Sequence, residues 1–266
     1  MRNIDRSYRF VLMLVIVLAL AAFPVSVGAN HSWGKYHWAR TSNPFTLKVG
    51  DNVNSAWDSY LNEAISDWTQ SSVLNLTKVS GSTNGSTCAP TQGRIEACNA
   101  AYGTTGWLGV AQIWTSRGSH IVQATTKVND TYFNMPQYNT PAWRRLVMCQ
   151  EIAHDFGLDH QDENFNNANL GSCMDYTSDP DGPPSNEHPN QHDYDQLVSI
   201  YSHTDRFTTV GMALPEGAPA GFANADIHAQ ENWGEKVRDS ADGRSSLYVL
   251  DFGNGNKVFT FVFWAE

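Results

Sequence analysis

The sequence predicts an α/β fold of the α+β kind, a mixed sheet with helices packed on it. Three observations predict it. Four stretches rich in β-branched and apolar residues, at 45–49, 73–79, 106–115 and 120–128, are separated by Gly, Ser, Asn and Thr runs. Between and after them lie two segments with helical signals, one carrying Val53, Ala56, Trp57, Tyr60, Leu61, Ala64, Ile65 and Trp68, the other opening at Thr140-Pro141. The last twenty or so residues alternate around a G-N-G-N turn, the pattern of a β-hairpin.

The first 29 residues read as a secretory signal peptide. Arg2, Arg6 and Arg9 form a basic head, 10–23 is an apolar run too short for a typical bilayer span, and Val27-Gly28-Ala29 sets small residues before Asn30. Removing residues 1–29 from 266 leaves 237, enough for one domain with a small appendage. The formal charge is −10, and the segment removed carries three Arg and one Asp, so the remainder stands at −12. Such acidity argues against nucleic acid or an anionic membrane as partner. No later stretch is long and apolar enough to cross a bilayer.

Residues 30–44 are an aromatic-rich lead-in to the strand at 45–49. Asp51 is the expected cap of a first helix of about five turns, whose Trp and Tyr residues form a broad buried face. The strand at 73–79 leads to an exposed loop at 80–87; Asn75, Asn84 and Asn129 begin N-x-S/T sequons. Strands at 106–115 and 120–128 follow. Thr140 then caps a helix with Pro141 at its first position; Trp143, Leu146 and Val147 pack it on the sheet, and it ends at Gly157. Asn190 caps a further helix, with Asp193 at the capping-box position. Residues 204–234 show no periodicity. The expected organisation is a domain over 30–204 and a small β-rich extension over 205–266.

Chemistry concentrates at 150–160, Q-E-I-A-H-D-F-G-L-D-H. This is the zinc-hydrolase pattern H-E-x-x-H-x-x-G-x-x-H with Gln150 in the first His position. Residues 150 and 154 share a helix face and can address one ion. Gly157 can take positive φ, turning the chain so that His160 returns as a third ligand. Glu151 then stands beside the metal, placed to take a proton from bound water. Four such fixed positions match by chance in on the order of one chain in a thousand of this length. The alternative is an ordinary amphipathic helix carrying two His.

An independent feature follows at Ser172-Cys173-Met174-Asp175-Tyr176. With it the chain resembles the metzincins, zinc endopeptidases whose metal helix is followed by a tight Met-containing turn; the S-x-M-x-Y form is similar to the astacin and serralysin branches. The resemblance covers roughly 45–203. It implies a twisted mixed sheet, an active-site helix and a C-terminal helix after the Met-turn. It implies zinc held by His154, His160 and Gln150, Glu151 as general base, Met174 as the floor of the site, Tyr176 as oxyanion stabiliser, and protein or peptide substrates. It also implies that the strand before the zinc helix at the sheet edge binds substrate, with 107–112 the candidate edge; an ordinary core strand is the alternative. The few residues before the first strand lead us to expect no folded inhibitory pro-domain.

Four cysteines allow three pairings. Cys88–Cys98 with Cys149–Cys173 is the expected set, because the second bridge would tie the zinc helix to the Met-turn. Gln150 leaves three arrangements open: it ligates weakly, another residue among His120, His188, His192 and His203 supplies the ligand, or the site holds no metal. The sequence therefore supports a secreted, monomeric zinc endopeptidase first. A binding protein on a retired peptidase scaffold comes second, and a non-peptide zinc hydrolase third.

Overall fold

The computed structural model describes residues 31–225 and 228–266, so the expected signal segment and its cleavage point before Asn30 lie outside the described residues. The chain is mixed α/β. Nine strands build one sheet: β1 (His37–Trp38), β2 (Phe45–Asn52), β3 (Leu74–Ser80), β4 (Ile95–Ala100), β5 (Trp107–Ser116), β6 (His120–Asn129), β7 (Glu235–Asp239), β8 (Ser245–Gly253) and β9 (Asn256–Trp264). Helices are α1 (Asp58–Trp68), α2 (Asp130–Phe133), α3 (Pro141–His154) and α4 (Gln191–Ile200). The order across the sheet is β3-β2-β4-β6-β5-β9-β8-β7, with β1 beside β6. Pairings among β1, β2, β3, β4 and β6 are parallel, and those from β5 to β7 through β9 and β8 are antiparallel.

Parallel neighbours need a crossover, and α1 supplies the one between β2 and β3. It starts later than Asp51 predicts. Residues up to Asn52 stay extended because β2 pairs β3 on one side and β4 on the other through Asp51 and Asn52. A ladder on both sides outweighs a local helix start, and α1 keeps Leu61, Ala64 and Trp68 on its buried face. Strand β4 escapes the apolar pattern because its second residue, Glu96, is a fully buried carboxylate. Hydrogen bonds from Thr91, Asn52, Ser82 and Arg94 hold its pKa below the ordinary range against the opposing effect of burial.

The terminal segment does not stand apart as an extension. β9 pairs β5 from Trp107↔Trp264 to Thr115↔Lys257, and β8 and β7 continue outward. Phe259, Phe261 and Phe263 join the main core under the helices, while Val258 and Val262 join a second core on the opposite face. The aperiodic run before β7 covers that second face with Phe222 and Trp233. Strand β5 is consequently buried along its whole length and is no edge strand. The expected substrate edge at 107–112 is therefore corrected: β6 holds one side of it and β9 the other.

Candidate active site

Helix α3 delivers the first site residues. Thr140 Oγ1 accepts from the Trp143 amide at 3.3 Å, and Pro141 occupies the first turn, where its missing N–H costs nothing. The helix packs across β5 and β6, burying Gln150, Glu151 and His154. It ends at His154, three residues before the expected end, and the chain turns at Gly157, φ +104°, where a Cβ would lie 2.5 Å from the Tyr36 carbonyl oxygen. Glycine is needed there for both conformation and space. The turn brings His160 back, its ring nearly perpendicular to that of His154 with centroids 4.6 Å apart.

The turn at 172–176 is held from α4. Ser172 Oγ accepts from the Met174 amide at 2.9 Å and donates to Asp193 Oδ2 at 2.7 Å. Asp193 also completes the capping box with Asn190. Met174 and Tyr176 are buried, and the Tyr176 ring lies 4.4 Å from that of His160. Disulfides join Cys88 to Cys98 and Cys149 to Cys173, the pairings expected; the second clamps α3 to the Met-turn.

The donor set suits a metal ion. His154 Nδ1 lies 2.8 Å from the Leu158 carbonyl oxygen, which can only accept, so Nδ1 carries the proton and Nε2 keeps its lone pair. His160 Nδ1 is held the same way by Glu163 Oε1 at 2.9 Å, and its Nε2 is buried with no partner among the described residues. Both amide atoms of Gln150 and Oε2 of Glu151 are likewise buried without partners. A carbonyl or carboxylate behind a ligating imidazole is the usual orienting arrangement. Asp159, His160 and Glu163 also bring ligand atoms within 4.8 Å of one another. Glu163 thereby orients the His160 ring.

Electrostatics follow from burial. Desolvation drives the Glu151 carboxyl well above its ordinary range, Asp155 adds to this, and a hydrogen bond with the Ala111 backbone opposes it. Burial, with His160 beside it, drives the His154 imidazole well below its usual value. Tyr176 is pushed up by burial and by Glu151, and bonds Ser245 on β8. Asp159 is an exception: burial raises it, but Arg238 of β7 bonds it through both oxygens at 2.5 and 2.7 Å, and the net result is about 2.

The four other histidines considered as the missing ligand are engaged elsewhere. His188 bonds Asp67, His192 stacks on His31, and His120 and His203 gather around Asp205. Sequence reasoning missed the residues that close the site. Phe261 stacks on His154 with centroids 4.1 Å apart and planes at 11°, and Phe263 packs on Tyr176 at 4.6 Å. The signal available was the F-T-F-V-F alternation, which puts three Phe on one face of one strand. Compared with protein-family models and with curated proteins, the chain matches none.

Proposed function

We propose that this chain is a secreted, monomeric zinc-dependent endopeptidase acting on protein or peptide substrates, of metzincin type. One observation carries the reading: two adjoining imidazoles each have the Nδ1 proton fixed by an acceptor, and Gln150 and Glu151 of the same motif carry buried polar atoms without partners among the described residues. His154, His160 and the Gln150 amide oxygen would hold the zinc, which when bound supplies Lewis acidity and a more acidic water. Glu151 would take a proton from the attacking water and pass it to the leaving amine, and its burial makes it a stronger base than an exposed carboxylate. The Tyr176 hydroxyl, kept protonated by its surroundings, donates to the developing oxyanion. Glu163 keeps the His160 ring in place, and Asp159 accepts from the His160 backbone amide. Two disulfides fit an oxidising compartment, and no helix of the described residues is long and apolar enough to cross a membrane.

The test is hydrolysis of a quenched fluorescent peptide library by the purified protein, with zinc measured by elemental analysis. Glu151→Gln is expected to abolish turnover, by about 1,000-fold or more, with zinc content unchanged. Turnover that survives this change sinks the reading.

A second reading is favoured by one specific observation, the Phe261 ring seated on His154 under β9. On it, the chain is a secreted binding protein built on a retired peptidase scaffold. Phe261→Ala and Gln150→His separate the two. Neither variant hydrolyses peptide if the scaffold is retired, whereas Phe261→Ala raises turnover if β9 merely covers a working site.

A further inference from the structure

Three histidines and an aspartate from separate parts of the chain meet on the far side of the molecule's first strand. His37 lies on β1 and faces His120, the first residue of β6, in register. His203 and Asp205 follow α4. His37 Nε2 is 3.2 Å from His203 Nε2 and 3.4 Å from Asp205 Oδ2. His120 Nε2 is 3.4 Å, and His203 Nε2 3.9 Å, from Asp205 Oδ1. Zinc binds imidazole nitrogen at about 2.0–2.1 Å, so the edge of its ligand tetrahedron is ~3.3 Å. The ligand atoms of His37, His203 and Asp205 all lie within 4.8 Å of one another, a span that one ion can bridge.

The surroundings orient these groups. His37 Nδ1 lies 2.7 Å from the Lys35 carbonyl oxygen, so Nδ1 carries the proton and the Nε2 lone pair faces the carboxylate. A lone pair that faces a carboxylate favours a positive group nearby, and His203 Nε2 shares that place at 3.2 Å. Arg40 answers part of this, donating Nη1 and its backbone amide to Asp205 Oδ2 at 3.1 and 3.2 Å. It fixes the carboxylate and leaves Oδ1 turned to His120 and His203. Burial lowers the His37 and His203 imidazoles, which favours the neutral, ligating form.

We propose that His37, His203 and Asp205, with His120 beside Asp205 Oδ1, form a structural site for one divalent transition-metal ion of zinc type. The ion fastens β1 and the start of β6 to the segment after α4. That segment is already sewn to β1's neighbours, since the Thr209 amide donates to the Ala39 carbonyl and the Asp205 amide to that of Arg40. It leads into the run covering the second core, so the ion anchors the beginning of that cover. The proposal does not rest on the peptidase reading.

The test measures zinc per chain on purified protein with both disulfides formed, in wild type, His154→Ala, His203→Ala, and a double variant of His120→Ala with His203→Ala. The His203 side chain is half-exposed, at 52%, so its removal leaves the fold intact, as circular dichroism will check. The double variant is expected to bind about one zinc fewer than wild type, while His154→Ala keeps the ion at this site. With cobalt(II) in place of zinc, His154→Ala should show the intense visible band of four-coordinate cobalt, and the double variant of this site should lose that contribution. Zinc and cobalt spectra unchanged in the double variant would overturn the proposal. So would a wild type that binds no zinc. Zinc that disappears with His154→Ala alone overturns this proposal and leaves the peptidase reading standing; zinc that disappears only with the double variant does the reverse. Where His154→Ala fails to fold, wild type and double variant alone decide.

Discussion

Gly109 shows how closely one residue can govern the site. A Cβ there would lie 2.5 Å from Val147 Cγ1 and 2.6 Å from Glu151 Oε1, so α3 can approach β5 only over a bare backbone. Gly109→Ala should cost about 1–3 kcal/mol in a thermal or urea melt and displace the Glu151 carboxylate. If the peptidase reading holds, the same change lowers turnover without removing zinc. Gly109 was visible in the sequence as a small residue in a strand, but its meaning was not. Glycine in a strand is a generic signal, and only the position of α3 tells which side chain needs the space. Gln150, Glu151, His154, Gly157 and His160 were legible because helical spacing alone sets them on one face and one turn. Phe261 was not, because 107 residues separate it from His154 and no local pattern links strand to helix across that distance.

At the scale of elements, the β7–β9 unit is held against the loop after α3 by more than backbone pairing. Arg238 on β7 bonds both oxygens of Asp159 and lies 3.4 Å from Glu163. Asp159 titrates at about 2 in the fold against 3.8 as an ordinary carboxyl. A depressed folded pKa stabilises fully above the ordinary value and loses that stabilisation as pH falls toward the folded one. The contact therefore contributes at most about 2 kcal/mol above pH 4, lost between about pH 4 and pH 2. The protection of β7 and β9 amides, taken relative to the intrinsic exchange rate at each pH, should fall over that interval. Arg238→Ala should show the lower protection already at pH 7. Protection that is flat from pH 5 to pH 2 in the wild type would refute the role given to this pair. The sequence showed β8 and β9 as a hairpin because alternation and a Gly/Asn turn are local. It did not show the partner of β9, since any strand with an open edge satisfies the same alternation.

For the whole molecule, the terminal strands are structural members of the sheet. Ending the chain at residue 204 would strip β9 from β5, uncover Trp107, Val110 and Trp114, and remove three Phe from the main core. A chain of 30–204 is expected to aggregate or show no cooperative melt, whereas a self-contained domain would melt cooperatively; circular dichroism and light scattering distinguish them. What the sequence by itself determined was whatever short spacing determines. This covers the mixed α/β class, most strands, the start of α3 at Thr140-Pro141, the capping box at Asn190 and the gathering of Glu151, His154 and His160. Tertiary structure alone decided that β5 lies inside the sheet, that Phe261 covers His154, and that His37, His120, His203 and Asp205 meet. Those contacts join residues 83 or more positions apart, apart from the last pair. They depend on strand order, which is chosen by the sum of burial over the whole chain rather than by any local run of residues.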